Sequence, residues 1–239
     1  MAASPVLASP RPDAHAAQVG RLVGLIEECF SREDYPEVYL SLRAIHAAQM
    51  ASLRQQQVSG MANEQELMAI TFRKGGTSVL TDAYLVHGRL SEAEADFMFG
   101  YGVLLQLMDD LQDLRKDLAD RHATIFTRQV AAHGPLDEVT SRLWSFAQTV
   151  LWSSDCFASP RFDPLKTLIL ENCKLLLLQS VARNRDFYSS RFANELETWS
   201  PFRFDYLRKR EGTLGSEYAK IAAFMRRKHG INSVLDALD

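Results

Sequence analysis

Gly102-Val-Leu-Leu-Gln106-Leu-Met-Asp109-Asp110-Leu-Gln-Asp113-Leu-Arg-Lys-Asp117 sets four carboxylates within nine residues of a run that otherwise reads as a buried helix. An α-helix turns about 100° per residue, so residues four apart lie about 40° apart around its axis. Asp109, Asp113 and Asp117 therefore fall on one stripe, which Gln106 and Gly102 extend toward the N-terminus. Val103, Leu104, Leu105, Leu107, Met108, Leu111, Leu114 and Leu118 take up much of the remaining circumference. A helix that is apolar nearly all round belongs in an interior. Like charges one turn apart destabilise a helix by about 0.2–0.5 kcal/mol per pair, and a buried carboxylate costs far more unless it is paired or metal-bound. The stripe therefore predicts a cation against it. Carboxylates and water are hard oxygen ligands that suit Mg²⁺, and Mg²⁺ takes one or two carboxylates plus substrate phosphates. Asp109, Asp113 and Asp117 are expected to hold it, directly or through water, with Asp110 tuning the site from beside them. The competing reading is a solvated acidic face, against which the flanking leucines count.

Working outward, Ser91-Glu-Ala-Glu94 reads as a capping box, opening a helix expected over 92–118. Upstream stands Arg73-Lys74-Gly75-Gly76-Thr77. A lysine beside two glycines lets the backbone approach an anion while the ammonium supplies a point charge. The plainer reading is a helix break between segments at 63–73 and 77–87, with Thr77 or Ser78 as N-cap. The segment is not a Walker A loop, because the G-x-x-x-x-G-K-[ST] spacing is missing. Gly88 is a C-cap candidate.

Amphipathic spacing predicts further helices at 15–30, 35–57, 135–155, 164–189 and 215–229, with Asp163-Pro164 opening the one at 164–189 and an aromatic connector over Trp199–Tyr206. Strand signals are nearly absent. The fold class expected is all-α, a helical bundle over 15–235 behind a disordered segment at 1–14.

The chain of 239 residues is 46% hydrophobic, enough for a sizeable core, and its net charge of −3 gives no reason to expect nucleic acid. Cys29, Cys156 and Cys173 lack metal-site spacing, and their odd number argues against a disulfide framework. They read as reduced thiols of a cytoplasmic protein. No secretory signal or transmembrane run is evident.

Together these segments resemble a known family. Gly102-x-x-x-Gln106-x-x-Asp109-Asp110-x-x-Asp113 is similar to the second aspartate-rich motif of trans-prenyl diphosphate synthases. Asp109-x-x-x-Asp113-x-x-x-Asp117 resembles the (N/D)-x-x-x-(S/T)-x-x-x-E metal triad of class I terpene synthases, with Asp113 and Asp117 in place of the usual Ser/Thr and Glu. Lys74 stands about where prenyl synthases carry a diphosphate-binding Lys-Thr pair, with Gly75 replacing the Thr. Gln49, in His46-Ala-Ala-Gln49, resembles a glutamine on an earlier helix of that fold, and Asp117 to Thr124 resembles the squalene and phytoene synthase branch.

The resemblance implies an isoprenoid synthase-type bundle that holds Mg²⁺ and an allylic prenyl diphosphate in a central cavity, and possible pairing as a homodimer. The reaction implied is ionisation of the diphosphate followed by prenyl transfer or cyclisation. It assigns Asp109, Asp110 and Lys74 to catalysis, Lys74, Gln106 and Gln49 to substrate binding, and Asp109, Asp113 and Asp117 to metal.

The chain departs from the family in one respect. Residues 1–70 contain no DDxxD, and the nearest acids, Glu27-Glu28, Glu33-Asp34 and Glu37, read as capping and surface charge. A divergent or N-terminally truncated member is expected on that ground. The alternative function is a non-catalytic helical homologue that binds prenyl chains or pairs with an active subunit. Asp82, His87, His122, Arg183, Arg185 and Arg191 read as surface or capping residues, and Phe187, Tyr188, Phe192, Trp199 and Phe204 as packed core.

Overall fold

The computed structural model describes residues 14–56, 63–152 and 156–209. Their helices are α1 (Ala14–Cys29), α2 (Pro36–Ser52), α3 (Glu64–His87), α4 (Glu92–Gln112), α5 (Leu114–Asp120), α6 (Ile125–Ala131), α7 (Asp137–Trp152), α8 (Phe162–Arg183), α9 (Ser190–Trp199) and α10 (Phe204–Lys209). Short 3-10 turns follow α2 and α8, and the described residues contain no strand. The all-α expectation holds. The segment at 1–13 and the helix expected at 215–229 lie outside the described residues. No described helix is long and apolar enough to cross a membrane.

The helix α4 is the spine of the core. It opens on the expected capping box: Ser91 Oγ accepts from the Glu94 N–H, and the Glu94 carboxylate accepts from the Ser91 N–H at 2.8 Å. Leu104, Leu107 and Leu111 are 0%, 6% and 0% exposed, which excludes a helix simply lying in solvent. They pack in one cluster with Leu114 of α5, Phe126 of α6, Leu143 and Leu151 of α7, and Leu177, Leu178 and Val181 of α8.

The spine is shorter than the expected 92–118. Asp113 (φ −84°, ψ 4°) leaves helical geometry for one residue, and α5 then resumes. The Asp113 N–H still donates to Asp109 O, and the Asp117 N–H to Asp113 O, both at 2.8 Å. These two bonds carry the four-residue register across the joint, so the acidic stripe survives it.

The Gly75-Gly76 break does not exist. Both glycines sit inside α3, and Thr77, expected as an N-cap, is interior to the helix, its hydroxyl donating back to Arg73 O at 2.6 Å. A Cβ on Gly75 would stand 2.4 Å from Gly102 O, and one on Gly102 would stand 2.2 Å from Gly75 O. The glycines are where α3 and α4 cross with backbones nearly touching. Glycine costs a helix about 1 kcal/mol relative to alanine, a penalty that packing along two long helices readily outweighs.

Other boundaries also move. The N-cap of α8 is Arg161 rather than Asp163, which lies in the first turn and pairs with the buried Lys166 at 2.9 Å. That helix ends at Arg183 rather than 189, and Trp199 and Phe204–Tyr206 belong to α9 and α10 rather than to a connector. On the far side of α3, Val38 and Ala48 bury α2, and the Thr81 hydroxyl donates to Ser41 O at 3.0 Å.

Candidate functional site

The C-terminal half of α4, the joint at Asp113 and α5 form one wall of a cleft of about 490 Å³. Gln106, Asp109, Asp110, Asp113 and Asp117 line it, together with Lys116, Asp120 and His122. The other wall is α3, which contributes Lys74. Lys74 precedes the glycine crossing by one residue, so the crossing itself holds that segment of α3 against α4. The glycines thus serve the site by bringing two helices together.

The aspartates do not share one environment. Asp109 faces solvent, Asp113 and Asp117 are half-buried, and Asp110 is only 6% exposed. Gln106 Nε2 donates to Asp110 Oδ1 at 2.8 Å, and the Thr71 hydroxyl of α3 reaches Oδ2 at 3.5 Å. Burial pushes the Asp110 carboxyl up to about 6. The Gln106 bond and the Lys74 charge oppose that rise, and Asp117 and Asp109 add to it. Burial also raises Asp117, with His122 pulling the other way. Both shifts follow from removing negative charge from water beside like charges.

Two nitrogen-bearing side chains, Lys116 and His122, line the cleft although the sequence did not assign them to it. Lys116 Nζ lies 3.6 Å from Asp113 Oδ2, and this exposed pair is weak. His122 arrives by a turn: Arg121 adopts left-handed geometry (φ 55°), and the His122 N–H donates to Asp117 O at 2.8 Å. An arginine carries no signal for that conformation, which ordinarily favours glycine. The acid Asp120 also lines the cleft. The one legible cue to Lys116 and Asp120 was helical spacing from Asp113 and Asp117.

The remaining expected residues lie elsewhere. Gln49 is exposed on α2 and does not line the cleft, so its expected contact with substrate has no counterpart here. Asp82 is exposed on α3. Arg183 donates to Gln112 O at 3.2 Å, and Arg185 pairs with Glu197, so both tie α8 and its following turn to neighbours. Glu27 accepts from Arg32, and Asp34 from Ser31, as surface and capping charge. Tyr188 and Phe204 are core, whereas Phe192 and Trp199 line a separate cavity.

Among the described residues, no three His, Cys, Asp or Glu side chains converge closely enough to hold a metal ion by themselves. Apart from His122, the potential metal donors lining the cleft are carboxylate and amide oxygens, the hard kind that Mg²⁺ takes. An ion that keeps several waters and relies on one or two carboxylates and a substrate phosphate needs no closed cage. Asp109, which is exposed, and Asp113, half-buried one turn on, fit that role, and Asp110, enclosed by Gln106 and Thr71, fits a supporting one. The arrangement suits a ligand that brings both negative charge, for Lys74 and Lys116, and oxygen atoms for a shared cation. No protein-family model, no curated protein and no solved structure matches this chain.

Proposed function

We propose that the cleft binds a prenyl diphosphate together with Mg²⁺ and promotes departure of the diphosphate group, as in prenyl transfer or terpene cyclisation. The observation that carries this reading is the placing of Lys74, on one helix, across from an aspartate stripe on another, in a cleft backed by a leucine core. Asp109 and Asp113, with Asp117 through water, would hold the metal. Lys74 would contact the diphosphate and keep it oriented against the stripe. Gln106 would fix Asp110 and so hold the rear of the site rigid. Mg²⁺ bound there would neutralise the charge that develops on the leaving group.

The test is pyrophosphate release from geranyl and farnesyl diphosphate with Mg²⁺. Activity is expected in the wild-type chain, and Asp109→Ala combined with Asp113→Ala is expected to lower kcat/KM by about 100-fold or more. Turnover that survives the double substitution would sink the assignment.

One observation favours a second reading. Among the described residues, the acids of α1 and the following turn lie outside the cleft lining, leaving it with carboxylates from one wall only. A homologue that binds a prenyl diphosphate without turning it over fits that asymmetry. Mg²⁺-dependent binding without pyrophosphate release by the isolated chain would select it.

A further inference from the structure

A second cavity, of about 340 Å³, opens between α7, α8 and α9. It shares no lining residue with the acidic cleft. Its walls are Trp144, Leu177, Leu178, Phe192, Leu196 and Trp199. The volume falls within the range of about 300–1,000 Å³ typical of small-molecule pockets, and apolar, aromatic walls with few polar groups are their usual lining.

The polar groups narrow what fits. Thr140 lines the cavity, and its hydroxyl lies 2.9 Å from the Tyr188 hydroxyl. Burial holds the Tyr188 phenol well above its ordinary value, so it stays neutral. Lys174 stands at the lining but lies 3.9 Å from Glu171, and Glu195 adds a further negative charge. Nothing in this set favours an anion. We propose that the α7–α8–α9 cavity is a binding site for a neutral, largely apolar small molecule, whose hydroxyl or carbonyl, where it has one, would meet the Thr140 hydroxyl at the lining. The site is independent of the reading given to the acidic cleft.

Trp144 and Trp199 are two of only three tryptophans, so energy transfer from them reports a fluorescent occupant directly. The probe is N-phenyl-1-naphthylamine, which is neutral and apolar, titrated into the full chain. Saturable binding of one probe per chain is expected, unchanged by Mg²⁺ with pyrophosphate. Ser141 and Ser145 line the cavity from exposed positions on α7, so larger side chains there leave the core intact. Ser141→Trp and Ser145→Trp are each expected to weaken binding tenfold or more with an unchanged circular-dichroism spectrum. Gln148→Trp, exposed on the same helix but outside the lining, should bind as wild type does. The anionic analogue 1-anilinonaphthalene-8-sulfonate should bind at least tenfold more weakly. The proposal is overturned by non-saturable binding to the wild type, by undiminished binding to both serine variants, by equal affinity for the anionic probe, or by loss of binding in Asp109→Ala/Asp113→Ala, which would move the probe to the acidic cleft.

Discussion

Asp110 is the residue at which the electrostatics of the cleft concentrate. Its carboxyl, raised to about 6 by burial, binds a proton more tightly in the folded chain than in the unfolded one, where an aspartate titrates near 4. A raised acid of this kind costs no stability below about pH 4. Its cost grows as pH climbs from about 4 to 6, where the unfolded chain has lost the proton and the folded one still holds it, and is constant above. Asp110→Asn removes the titration yet leaves an oxygen for Gln106 and an amide for Thr71. The variant is expected to match wild type in urea unfolding near pH 4 and to exceed it above pH 7, by on the order of 2 kcal/mol. A constant difference across that range would show that burial does not govern this carboxyl. The stripe of Asp109, Asp113 and Asp117 was legible because it depends only on spacing along one helix. The burial of Asp110 beside that stripe was not, because Thr71 and Lys74, which face it, come from another helix.

At the scale of elements, the crossing of α3 over α4 decides the site. Its tolerance for substitution should be sharply local. Gly102→Ala drives a methyl into Gly75 O, a backbone atom with no room to give, and is expected to destabilise the chain by about 3 kcal/mol or more. Gly100, two residues earlier on the same helix, would place its Cβ at an ordinary 3.5 Å from Val150. Gly100→Ala is therefore expected to stabilise by about 0.5–1 kcal/mol, through helix propensity alone. Denaturant midpoints of the two variants check both signs, and a mild effect of Gly102→Ala would mean that the helices do not cross this closely. The capping box at Ser91 and the C-cap at Gly88 were readable from local chemistry. The glycine pair was misread as a break because local rules treat glycine as a helix breaker, whereas a crossing point selects glycine for its missing side chain.

At the scale of the molecule, a cleft with like charges on one wall should respond as a whole to a neutralising ligand. Among the described residues, no three acidic, His or Cys side chains are placed to hold Mg²⁺ alone. Mg²⁺ with inorganic pyrophosphate would bridge the carboxylates and Lys74. A ligand at 100 times its Kd adds about 2.7 kcal/mol of stability, which for a chain of this size is a rise in Tm of about 5–10 °C. That rise is expected from the pair together, little of it from either alone, and none in Asp109→Ala/Asp113→Ala. Differential scanning calorimetry distinguishes these outcomes, and an equal rise in the double variant would place the ligand elsewhere. The sequence by itself determined the helical class, the starts of several helices and the alignment of three aspartates, because each depends on residues within a turn or two of one another. Only the tertiary structure decided that Lys74 and Thr71 face Asp110, that His122 turns back into the cleft, that Gln49 stands outside it and that a second, apolar cavity exists. Those facts depend on which helices cross and how closely, and that is set by side-chain volume between residues far apart in the chain.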